Sequence, residues 1–173
     1  MNLLNRIKSF SQTRQSWLLL LAFVVFFQAM ALYFQHVTML APCVMCIYER
    51  VAMFGIGLAA VIGLLSPQNK SVRWLGLATW GLSSLKGFML AQEHVDYQFN
   101  PSPFATCDLF VRFPDWAPLN TWFPSIFEAF GDCSEVVWQF LSLSMPQWLV
   151  IIFATNLVVF SVIVIAQFIA QKR

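Results

Sequence analysis

The sequence predicts an all-α membrane protein. It reads as a four-transmembrane-helix bundle with one short and one long loop on the non-cytoplasmic side, the long loop carrying a membrane-surface helix. Three observations carry this reading. The 173-residue chain is 59% hydrophobic and only 10% charged, against about a quarter charged in an ordinary soluble domain. Four apolar stretches reach spanning length, which is about 20 residues as helix. The basic residues gather in segments that alternate with the spans. What remains is too short for a separate soluble domain, so residues 1–173 form a single integral membrane domain. A net charge of +2, with no basic cluster among aromatics, argues against a nucleic-acid partner.

The spans are predicted at about 17–34, 47–65, 72–91 and 148–169. Arg6, Lys8 and Arg14 precede the first, Lys70 and Arg73 lie between the second and third, and Lys172 and Arg173 end the chain. Seven of the ten Lys and Arg therefore share one face, the cytoplasmic one by the positive-inside rule. Both termini are expected there, with loops near 35–46 and 92–147 on the opposite side. Ala29-Met30-Ala31 resembles a signal-peptidase site, but the apolar run continues through Leu32-Tyr33-Phe34, so the first span is expected to be kept.

Pro42 suits the first turn of the second helix, and Ser66–Lys70 allows only an antiparallel connection. Lys86, inside the third span, is expected to snorkel or to be paired within the bundle. In the long loop, residues 100–107 are expected to be extended, because proline disfavours helical geometry in the residue before it. Leu119, Trp122, Phe123, Ile126, Phe127 and Phe130 then recur at helical spacing until Gly131. A short, aromatic, weakly charged helix of this kind suits the membrane surface, with Pro124 marking its first turn or a kink.

The four cysteines all fall on the non-cytoplasmic side: Cys43 and Cys46 as Cys-Val-Met-Cys, Cys107 and Cys133 apart in the long loop. Two thiol pairs facing an oxidising compartment point to redox traffic. Zinc would want a second ligand pair at short spacing, which Cys107 and Cys133 do not give, so no metal site is expected. A purely structural disulfide is the main alternative. Against it, Cys43 and Cys46 stand at an outward helix N-terminus, where the dipole favours a thiolate. Arg50, four residues beyond Cys46, can share that helix face and support the same charge, or serve only as an interfacial residue that binds lipid headgroups or pairs with Glu49. His94, at the outer end of the third span, is either an ordinary interfacial histidine or a donor to the carbonyl of a bound acceptor. Cys107 and Cys133 look like a second disulfide, whose loop closure stabilises by about 3 kcal/mol in the chain-entropy model. Four cysteines nevertheless allow three connectivities, and the resting pairing stays open.

Several segments together carry a family resemblance. Cys-Val-Met-Cys-Ile-Tyr-Glu-Arg (43–50), Glu-His (93–94), Pro-Ser-Pro-Phe-Ala-Thr-Cys-Asp (101–108), Gly-Asp-Cys (131–133) and Met-Pro-Gln-Trp (145–148) resemble the bacterial disulfide bond formation protein B (DsbB) family, in order and spacing over nearly the whole chain. The resemblance implies a protein-dithiol:quinone oxidoreductase of the bacterial inner membrane, with its cysteines periplasmic. Its partner would be a periplasmic thiol oxidase of thioredoxin fold, DsbA-like, and its cofactor ubiquinone or menaquinone. It further implies that Cys107 is attacked by the reduced partner, that Cys133 exchanges with Cys43, and that Cys46 meets the quinone near Arg50 and His94. Two rivals remain: a vitamin K epoxide reductase-type thiol enzyme, and a four-span scaffold whose disulfides are structural.

Overall fold

The computed structural model describes residues 3–100 and 107–169, and it is built almost wholly of helix. In chain order these are α1 (Leu3–Ser11), α2 (Arg14–His36), α3 (Val44–Leu65), α4 (Lys70–Phe99), the single turns α5 (Leu119–Trp122) and α6 (Pro124–Phe127), a hairpin of β1 (Gln139–Phe140) and β2 (Leu143–Ser144), and α7 (Met145–Ile169). The long helices pack in the order α2–α3–α4–α7, with α1 against α2 and α7.

Among the described residues, α2, α3 and α7 are long and apolar enough to cross a membrane. The expected third span lies inside α4, whose 30 residues give ample length. Its 72–91 stretch, however, contains Arg73 and Lys86 and is diluted with Gly, Ser and Trp. That polarity is tolerable because α4 sits between α3 and α7. Trp80 Nε1 donates to Asn156 Oδ1 of α7 at 3.1 Å, within the buried interior. Gly81 and Gly87 leave room on α4 for the rings of Phe160 and Phe153 of α7, close approaches that a Cβ would block. Lys86 lies exposed on the outside of the bundle.

The turn between α3 and α4 shows why its residues are what they are. Asn69 caps α4 by accepting from Ser71 N at 2.9 Å. Arg73 folds back and donates to the carbonyls of Pro67 (2.9 Å) and Gln68 (3.3 Å), so this basic residue also ties the turn together.

The long loop departs from expectation in three ways. The predicted surface helix is two single turns, α5 and α6, broken at Phe123 (φ −136, ψ 67). Pro124 is the cause: it lacks an N–H and pushes the residue before it out of helical geometry. The loop also leans on the bundle: Phe127 is buried against Phe54 (5.8 Å between ring centroids) and Phe113 (6.0 Å), while Trp122, Phe123 and Phe130 stay exposed. Finally, a short hairpin precedes α7, turning through Leu141 and Ser142 with φ of 51 and 62. The expected extended lead-in to Cys107 falls mostly on residues 101–106, outside the described residues.

Candidate functional site

Cys43 is the N-cap of α3, in extended geometry, and its Sγ accepts from Cys46 N at 3.2 Å. A sulfur thus takes the role that Ser or Asp fills at other helix starts, which places Cys46 in the first turn with its own sulfur on the same side. The two Sγ atoms are 2.7 Å apart and unbonded. Cys43 is buried and Cys46 half-buried.

Two helices then close around Cys43. His94, 3% exposed on α4, brings Nε2 to 3.4 Å from Cys43 Sγ. Its Nδ1 lies 3.0 Å from Oε1 of Glu49, 2% exposed on α3. Glu49 Oε2 is buried and has no hydrogen-bond partner among the described residues.

The outer pair is oxidised. Cys107 and Cys133 are disulfide-bonded with Cα atoms 6.1 Å apart. The long loop returns this bridge to the inner pair through backbone. Phe130 N and Gly131 N both donate to Pro42 O, at 2.9 and 3.0 Å, and Gly131 pairs with Cys43 in a parallel bridge. A Cβ on Gly131 would strike the Ala41 carbonyl, so glycine is what permits two backbones to touch here. Cys133, two residues on, is 1% exposed and belongs to the same buried cluster as Cys43. Between them Asp132 accepts from Ser134 N and Oγ, both at 2.8 Å, which holds its carboxyl below the usual carboxylate range and fixes the turn into Cys133.

Arg50 is turned toward the loop. Its Nη1 donates to Gln35 Oε1 of α2 at 2.7 Å and to the Ile126 carbonyl of α6. Gln35 Nε2 and His36 Nε2 each donate to the neighbouring Ser125 carbonyl at 3.0 Å. Two helices thereby hold the end of α6. Arg50 Nε is buried and lacks a hydrogen-bond partner among the described residues.

All six residues singled out in the sequence meet at this outer end of the bundle, with one regrouping: His94 contacts Cys43, and Arg50 contacts the loop. Sequence reading missed Glu49 as the partner of His94. Its signal was an acid three residues beyond Cys46, on the same helix face and inside an apolar run. Cys43, Cys46 and His94 also form a group with ligand atoms within 4.8 Å of one another. Two thiolates on a tetrahedral zinc stand about 3.8 Å apart, however, and these sulfurs are at 2.7 Å. The arrangement suits sulfur–sulfur chemistry better than metal ligation.

A helical protein with helices of membrane-spanning length that brings a disulfide into the same buried cluster as a free thiol has the parts that thiol–disulfide exchange requires. The comparisons with known proteins agree. The family model described as "Disulfide bond formation protein DsbB" matches residues 13–163, and the chain belongs to that family. It is 69% identical to disulfide bond formation protein B of Vibrio cholerae serotype O1 over 173 residues, covering 100% of both chains. It is 72% identical to the protein of that name from Vibrio alginolyticus over 165 residues, 95% of this chain and 100% of the relative. It is 50% identical to that of Psychromonas ingrahamii over 167 residues, 96% of this chain and 90% of the relative. Membership of that family assigns the protein to disulfide bond formation, an oxidoreductase activity.

Proposed function

We propose that the protein reoxidises a soluble periplasmic thiol oxidase of thioredoxin fold and passes the electrons through its two cysteine pairs to a membrane quinone. One arrangement carries this reading: the Gly131–Cys43 backbone pairing, which brings the Cys107–Cys133 disulfide into the same buried cluster as Cys43. A structural staple would have no need to be folded back onto a free thiol. A relay needs that proximity, because exchange requires one sulfur to attack another directly.

In this reading a thiolate of the partner attacks Cys107 and releases Cys133. Cys133 exchanges with Cys43 of an oxidised inner pair, leaving Cys46 as the thiol that faces the acceptor. Over a cycle two electrons and two protons leave the partner dithiol, which becomes a disulfide. A bound quinone, ubiquinone or menaquinone, supplies the two-electron oxidant. The residues at hand fit such a ligand: Cys46 is half-buried beside the apolar bundle, and Arg50 has a buried Nε donor without a hydrogen-bond partner among the described residues. Arg50 would hold a quinone carbonyl and stabilise charge that develops there. α4 would serve as the fourth span. With basic residues at the opposite end, the cysteines face the periplasm and both termini the cytoplasm of the inner membrane.

The test uses the purified protein in detergent, a reduced thioredoxin-fold oxidase and a soluble ubiquinone analogue, followed by quinone absorbance. Wild type should consume quinone catalytically, and Cys46→Ala and Cys107→Ala should each abolish turnover. Turnover that survives Cys107→Ala would exclude the outer pair from the relay, and an inert wild type would end the reading.

A further inference from the structure

The relay leaves one buried acid unused. Glu49 is 2% exposed and spends one carboxylate oxygen on His94, while the other has no hydrogen-bond partner among the described residues. A buried acid is costly to keep unless it serves a neighbour. Its neighbour, His94, faces Cys43 with its second nitrogen.

The geometry fixes what that histidine can do. With Glu49 as carboxylate, His94 Nδ1 donates to Oε1, and in the neutral ring this leaves Nε2 as an acceptor aimed at Cys43 Sγ. An imidazole so oriented takes a thiol proton, and the carboxylate at 3.0 Å balances the imidazolium that forms. Without that countercharge, a cation would have to form among buried groups.

We propose that Glu49 is a positioning residue that holds His94 as the proton acceptor for Cys43, so that the inner pair closes to its disulfide through a buried Cys43–His94–Glu49 relay. This rests on the quinone-linked reading above for its oxidant. In the step, the S–H bonds of Cys43 and Cys46 break and the Cys43–Cys46 bond forms. Two electrons pass to the quinone. The Cys43 proton goes to His94 Nε2, and together with the Cys46 proton it ends on the reduced quinone. His94 thus acts on Cys43, while Cys46 remains the sulfur open to the acceptor.

The test reads Cys43 directly and needs no quinone. In a Cys46→Ser background with the outer disulfide intact, the alkylation rate of Cys43 by iodoacetamide is followed against pH. Glu49→Gln keeps the shape and removes the charge. It should slow alkylation at neutral pH about tenfold and move the profile about one unit alkaline. His94→Gln should do the same, and the double variant should add nothing, since both changes remove one relay. A Glu49→Gln profile within twofold of its parent, or additive shifts in the double variant, would overturn the proposal. If the variants do not fold, infrared difference spectra of the wild type between oxidised and reduced inner pair decide it. A change in a carboxyl band supports the relay, and an unchanged carboxyl region overturns it. Failure of the wild type to reduce quinone with its partner would instead sink the proposed function, and the alkylation result would stand apart from it.

Discussion

Gly131→Ala is the sharpest test of how the two cysteine pairs are brought together. The added Cβ would meet the Ala41 carbonyl oxygen, with Ala41 C at 3.2 Å and Pro42 C at 3.3 Å. These are backbone atoms and cannot rotate aside. To reach ordinary contact distances the two segments must part by about 1 Å. The hydrogen bonds from Phe130 N and Gly131 N to Pro42 O, now 2.9 and 3.0 Å, would then stretch beyond useful length. At about 0.5–1.5 kcal/mol net for each bond, docking of the loop weakens by roughly 1–3 kcal/mol. That corresponds to about a 5- to 150-fold fall in the effective concentration of Cys133 at Cys43. The assay keeps only those two thiols, replacing Cys46 and Cys107 by serine, and measures the equilibrium between dithiol and Cys43–Cys133 disulfide in a glutathione buffer. Gly131→Ala should shift that equilibrium toward dithiol by at least fivefold, with helicity by circular dichroism unchanged. An equilibrium within twofold of the Gly131 parent would show that the backbone contact does not set the approach of the two pairs.

Two further outcomes are expected. Cys133→Ala should trap the reduced partner as a mixed disulfide on Cys107, identified by peptide mapping; an adduct on Cys43 would reverse the order of exchange. Arg50→Lys keeps the charge and loses the planar donor set that reaches both Gln35 and Ile126. It should raise the apparent KM for quinone and lower turnover, together costing about tenfold or more in kcat/KM, measured by quinone absorbance. An unchanged kcat/KM would remove Arg50 from the site.

The long helices were legible because membrane insertion is governed by local composition. An apolar run of sufficient length and a bias in Lys and Arg can both be read along the chain. The placement of Cys46 and Arg50 on one face of α3 was equally readable, since a helix fixes four-residue neighbours. The pairing of His94 with Glu49 was not, because 45 residues separate them and only the α3–α4 packing joins them. The surface helix was over-read: apolar spacing runs straight through Phe123 and Pro124, and the pattern cannot register a missing N–H. The hairpin before α7 escaped notice because Leu141 and Ser142 occupy left-handed positions that ordinarily signal themselves with Gly or Asn.

The grip on α6 has a thermodynamic consequence. Arg50 Nη1 spends its donors on Gln35 and on the Ile126 carbonyl. Anything that lifts α6 away therefore frees an Nη1 donor of the guanidinium. Linkage makes the exchange symmetric: a ligand that draws Arg50 toward the bilayer loosens α6 by the same free energy. In the proposed relay, the partner-facing loop and the acceptor-facing arginine would then sense each other through a single nitrogen atom, with no long-range rearrangement of the bundle.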